Sequence, residues 1–157
     1  MNVNDPVHDH ALGDAPERRI DALIAHYAQS HQNATNEALH CVCVPLIMYS
    51  LVGLIHALHP VAALVFLSAS MVYYLRLSQR AAVLMLLWSS VLWMAITSLH
   101  AQQVLIYTSV FVLAWIGQFI GHKLEGKKPS FFEDLQYLWI GPLFVAQVLL
   151  RRFGWRW

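Results

Sequence analysis

Two short stretches carry most of the chemistry open to this chain. In "HQNATNEALHC" the histidines His31 and His40 flank a polar segment that holds Asn36. In "QFIGHKLEGKKPS" His122 closes a long apolar run and Glu125 follows it three residues later. Neutral imidazoles serve iron, zinc, copper or nickel, so three that meet at one place make a metal site. Glu125 is spaced to share a helix face with His122. It can complete a set of two histidines and one carboxylate around non-haem iron, or orient a ligand histidine from behind. The plain alternative is a group of boundary histidines that only hydrogen-bond, because no HxxxH or HExxH spacing occurs.

The other candidates weigh less. Cys41 and Cys43 are separated by one residue; they imply no disulfide framework and read as small thiols at the start of a buried helix. His26 falls off the apolar face of its segment and reads as solvated. His56, His59 and His100 are candidates for a second site, with loop capping the preferred role. Trp139, Trp155 and Trp157 read as anchors at a membrane interface. No P-loop, GxSxG, GxGxxG or zinc-finger spacing is present.

What must position these residues is a membrane bundle. Of the 157 residues, 58% are hydrophobic and 12% charged, about half the roughly 25% of charged residues in a soluble domain. The net charge of +1 is spread in small groups, which leaves no basic stripe for nucleic acid. Residues 1–16 read as a flexible tail and 17–157 as a single helical membrane domain. No basic segment followed by an apolar one marks a signal peptide. Ile20, Leu23, Ile24 and Tyr27 fall on one face of an amphipathic helix, which His31 continues if the helix lasts that far. Thr35 or Asn36 is placed to cap the helix that follows. Apolar runs over 41–58, 61–77, 81–99 and 104–121 are each close to the roughly 20 residues a spanning helix needs. A fifth stretch, 135–150, holds Gly141 and Pro142.

Arg18, Arg19, Arg76, Arg80, Lys123, Lys127 and Lys128 all fall on one side if four helices cross, and that side is expected to be cytoplasmic. Arg151, Arg152 and Arg156 agree only if the fifth stretch does not cross. The expected fold is therefore all-α: an integral membrane bundle of four transmembrane helices, an N-terminal amphipathic helix and a C-terminal re-entrant or interfacial helix. Both termini are expected in the cytoplasm, at the inner membrane of a bacterium or the endoplasmic reticulum of a eukaryote. In such a bundle the same ends of the first and fourth spans are neighbours, and His31, His40 and His122 converge at one depth.

At this point the motifs resemble a known family. "HQNATNEALHCVCVP" (31–45), "QFIGHKLEGKKPSFFEDL" (118–135) and "GPLFV" (141–145) are similar to the motifs of small multi-pass proteins typified by the fungal 2-hydroxy-fatty-acid dioxygenase. The resemblance covers roughly residues 18–150. It implies Fe(II) as cofactor, O2 and a 2-hydroxy fatty acid as substrates, and shortening of that acid by one carbon at the membrane. It makes His31, His40 and His122 the iron-ligand candidates, gives Asn36 a catalytic role in orienting a ligand or the substrate, and leaves the catalytic Glu125 open as an iron ligand or a support behind one. Two residues separate His122 from Glu125 where the fungal form has three, and Ser130 stands where alanine is usual. The competing readings are another metal-dependent lipid-modifying membrane enzyme and a small transporter or scaffold with no catalysis. Mid-membrane serines and Thr97 are available to the latter, but no ionisable group.

Overall fold

The computed structural model describes residues 19–98, 103–126 and 137–154. Among them are six helices and no strand: α1 (Arg19–Ala28), α2 (Ala34–Leu58), α3 (Pro60–Leu77), α4 (Gln79–Thr97), α5 (Gln103–Leu124) and α6 (Ile140–Arg152). The tail expected over 1–16, His100, residues 127–130, Trp155 and Trp157 lie outside the described residues.

α1 buries Ile20, Ile24 and Tyr27 and leaves His26 exposed, as its apolar periodicity predicts. α2 starts earlier than hydropathy suggests. Asn33, not Thr35 or Asn36, is its cap: the side-chain oxygen of Asn33 accepts the N–H groups of Thr35 (2.9 Å) and Asn36 (3.3 Å). The first turn is polar, and a capped helix runs through polar residues as readily as apolar ones. Hydropathy marks only where lipid begins.

α2, α3, α4 and α5 are each long and apolar enough to cross a membrane. His59 alone joins α2 to α3, and its Nδ1 accepts the N–H of Val61 (3.2 Å), the capping role expected of it. Ser78 alone joins α3 to α4. Such connections force antiparallel neighbours. Large side chains face outward, among them Val65, Leu87, Val91 and Leu113, while Ala63, Ala81, Ala82 and Ala114 are buried. Water would penalise that inversion; lipid does not, because acyl chains are as apolar as leucine and the helices gain by close packing.

The most extensive helix packing is between α2 and α5. A Cβ on Gly117 would stand 2.5 Å from Cys43 Sγ, and one on Gly121 would overlap the side-chain oxygen of Asn36. Two glycines four residues apart thus present bare backbone to α2.

α6 has 13 residues and is about 20 Å long at 1.5 Å per residue, short of the roughly 30 Å hydrocarbon core. It packs Ile140, Leu143, Phe144 and Val148 into a core shared with α1, α3 and α4. Trp139, expected at the lipid interface, instead ties this helix to α3. Its indole N–H donates to Ser70 Oγ (2.9 Å), and its carbonyl accepts the Tyr74 hydroxyl (3.0 Å).

Candidate metal centre

The α2–α5 approach brings the predicted histidines together. His31 follows α1, His40 lies in the second turn of α2, and His122 lies in the last turn of α5. Each offers a ligand atom within 4.8 Å of those of the other two. Ring centroids are 4.0 Å apart for His31 and His40, 5.0 Å for His40 and His122, and 5.6 Å for His31 and His122. All three are buried, His40 completely.

Hydrogen bonds set the tautomers of two rings. His31 Nδ1 lies 2.8 Å from the Tyr27 carbonyl and His40 Nδ1 lies 3.0 Å from the Asn36 carbonyl. A carbonyl only accepts, so each Nδ1 carries the proton and each Nε2 keeps its lone pair. Ligating histidines are ordinarily fixed in this manner. His40 Nε2 is buried and has no hydrogen-bond partner. A buried imine nitrogen left bare is costly, and a metal ion is the partner that its neighbours favour. The donor set fits a divalent transition metal: three imidazoles, with room in the coordination sphere for other ligands.

Asn36 and Glu125 form a second layer, one turn further out. Glu125 Oε1 accepts the N–H of Gln32 (2.8 Å), and Oε2 accepts the N–H of Asn33 (2.9 Å) and the side-chain amide of Asn36 (2.9 Å). Both carboxylate oxygens are thus engaged at the N-terminal end of α2, where a helix dipole favours negative charge. Partial burial pushes the Glu125 carboxyl up. The Asn33 N–H, the Asn36 amide, the Gln32 N–H and the nearby His31 outweigh it and hold the carboxyl below its ordinary range. The Asn36 amide also donates to the Ser30 carbonyl (3.2 Å). Asn36 is fully buried, and its side-chain oxygen rests against Gly121. A chain of contacts therefore runs from Glu125 through Asn36 to the backbone carbonyl that holds His40.

The remaining sequence candidates stay apart from this centre. Cys41 and Cys43 are free thiols, and Cys43 packs in the α2–α5 core. His56 stacks edge-on to Trp93, with centroids 5.3 Å apart. Among the described residues the three histidines form the one group suited to a metal.

A family model described as 2-hydroxy-palmitic acid dioxygenase Mpo1-like matches residues 18–78 and 78–153. The chain belongs to this family. No curated protein and no solved structure matches it. In this Mpo1-like chain the two matched segments contribute different parts of one centre: His31, Asn36 and His40 come from the first, His122 and Glu125 from the second.

Three residues around the candidate centre were given no functional role by the sequence, although Gln118 and Gly121 lie in the motif at 118–135. Tyr27 was placed only on an apolar face, yet it stacks on His31 with centroids 4.3 Å apart and planes 20° from parallel. Gly121 admits Asn36. Gln118 is buried one turn before His122. The available signal for Gln118 was a polar residue four positions from a candidate ligand, on the same helix face.

Proposed function

We propose that this protein is a membrane-embedded Fe(II) dioxygenase that shortens 2-hydroxy fatty acids by one carbon. The observation that carries this reading is the buried triad His31, His40 and His122, with the bare Nε2 of His40, in a chain whose family is described as a 2-hydroxy-palmitic acid dioxygenase. When bound, iron would supply oxygen activation and hold the acid through its oxygens. His31, His40 and His122 are its proposed ligands. Three protein ligands leave positions for both substrates.

Asn36 and Glu125 are proposed as positioning residues. Glu125 spends both oxygens on α2 and on Asn36, so its contribution is to lock the frame from which His40 projects. Loss of such support typically lowers metal affinity or activity ten- to a hundredfold.

The reaction balances without an external reductant. RCH(OH)COOH and O2 give RCOOH, CO2 and H2O. The hydroxyl-bearing carbon and the departing carboxyl carbon together release the four electrons that O2 takes up. A bundle that holds its metal near one membrane face would receive the polar head there while the chain stays among the helices. That face is proposed to be cytoplasmic.

The test is metal analysis of the purified protein, followed by incubation with 2-hydroxypalmitate and O2 under mass spectrometry. Iron near one equivalent is expected, with a product one carbon shorter and one O2 consumed per acid. Substitution of His31, His40 or His122 by Ala should abolish both metal and product in a protein that remains helical. Purified protein that holds no iron and leaves the acid untouched would falsify the reading. A scaffold without catalysis, by contrast, would be indifferent to the three substitutions.

A further inference from the structure

A cavity of about 20 Å³ has Tyr27, Val44, Met48, Trp115, Gln118 and Gly141 in its wall, and none of the three histidines lines it. Helix geometry explains its place. Tyr27, Val44 and Gln118 each stand four residues from one histidine of the triad, from His31, His40 and His122 respectively. Within α2 and α5, residues four apart lie one above the other on a helix face, and Tyr27 stacks directly on His31. α2 enters the bundle from His40 toward Val44, and α5 approaches its end from Gln118 toward His122. The cavity is therefore the layer directly beneath the histidines, on the side away from Glu125.

Gln118 is 3% exposed, and its Oε1 is buried with no hydrogen-bond partner. Native proteins rarely leave a buried amide oxygen unmatched, and one left so calls for a missing donor. The cavity has room for one small group, since roughly 10–15 Å³ suffices for a water. An ionised carboxylate and O2 have no proton to donate. The 2-hydroxyl of a 2-hydroxy acid has one, on the atom next to the carboxylate.

There is also a place for the chain of such an acid. An apolar groove of about 320 Å³, lined by Val44, Leu84, Trp88, Pro142, Ala146 and Leu149 among others, lies between α2, α4 and α6. Val44 belongs to both spaces, and Gly141 lines the cavity where Pro142 lines the groove. A Cβ on Gly141 would come within 3.4 Å of both Val44 Cγ1 and the Tyr27 hydroxyl. The wall between cavity and groove is thus one side chain and one stretch of glycine backbone thick.

We propose that Gln118 accepts a hydrogen bond from the substrate's 2-hydroxyl beneath the histidines and so selects 2-hydroxy acids over unsubstituted ones, the acyl chain running past Val44 into the α2–α4–α6 groove. This rests on the dioxygenase reading above. A site built to pair with a hydroxyl rejects the analogue that lacks it, because the buried partner is then left bare.

The experiment is anaerobic equilibrium binding of 2-hydroxypalmitate, 2-methoxypalmitate and palmitate to the purified Fe(II) protein, repeated with Gln118→Met and Gln118→Leu and with metal content measured in parallel. Wild type should favour the hydroxy acid over both analogues by about tenfold or more. Either variant should keep its iron and lose about tenfold of that preference, the residue of it reflecting the hydroxyl's contact with the metal. If the variants keep their iron and the preference stays within about threefold of wild type, Gln118 holds a bound water only and the proposal is overturned while the dioxygenase reading stands. Should the variants fail to fold, wild type binding the methoxy acid as tightly as the hydroxy acid overturns the proposal on its own. A wild type that binds iron but none of the three acids overturns both.

Discussion

Glu125 sets a negative charge into the frame of the candidate metal centre, and its three hydrogen bonds all reach the start of α2 or the amide of Asn36. The depressed carboxyl fixes the sign of a pH effect. A group whose pKa falls on folding contributes its stability above the unfolded value, here the ordinary 4.5, and loses it as the pH drops through the folded value. Glu125→Gln removes the charge but keeps an oxygen acceptor. At pH 7 the variant should be less stable than wild type by roughly 1 kcal/mol, the scale of a charge at a helix N-terminus. The difference should shrink steadily as the pH is lowered below 4.5. Thermal unfolding followed by circular dichroism in detergent, at pH 7 and in steps down to the acid limit of the folded state, measures this. Equal stability of the two proteins at pH 7, or a gap that widens in acid, would show that the carboxylate does not hold α2.

Among the elements, α2 and α5 decide whether the centre exists, and their approach depends on Gly117 and Gly121. Alanine at position 121 places a methyl group on the Asn36 side-chain oxygen. Asn36 cannot yield cheaply, since its side-chain N–H groups are tied to Glu125 and Ser30 and its backbone carbonyl holds His40. Gly121→Ala should therefore cost about 1–3 kcal/mol, the usual penalty of overpacking, and should lower metal content in the fraction that folds. Unfolding midpoint and bound metal are the two readouts; a variant unchanged in both would mean the helices part freely at this point. The same contact shows what was legible in the sequence. His31, His40 and His122 could be named because hydropathy fixes which span ends lie together, and ligand chemistry restricts which residues matter there. The start of α2 at Ala34 was hidden because apolar runs report lipid contact, whereas Asn33 caps a polar turn. The partners of Glu125 were hidden because two of them are backbone N–H groups, which no residue type reveals. Gln118 reads in sequence as a polar residue near the end of a span. Its meaning lies in the hydrogen bond it lacks, and that depends on every side chain packed around it.

On the scale of the whole molecule, charge and chemistry gather at one end. Arg19, Arg76, Arg80 and Lys123 all lie at the end of the bundle where α2 begins and α5 finishes, and the α2–α3 connection at the opposite end is His59 alone. His40 is six residues into α2, about 9 Å along its axis at 1.5 Å per residue, so the histidine triad sits just inside the basic face. Lys and Arg near span ends are retained on the cytoplasmic side. Under the proposed cytoplasmic orientation the histidines would have access to cytosolic iron, while the groove between α2, α4 and α6 would open among the lipid chains. The expected topology can be read directly with single cysteines at His59 and at Gln79, both exposed, in a background where Cys41 and Cys43 are replaced by alanine. In intact bacterial cells a membrane-impermeant maleimide should label position 59 and reach position 79 only after permeabilisation. Labelling of both positions from outside would remove the four-span arrangement. Labelling of position 79 alone would invert it, placing the three histidines at the outer face and cutting them off from the reduced iron of the cytosol.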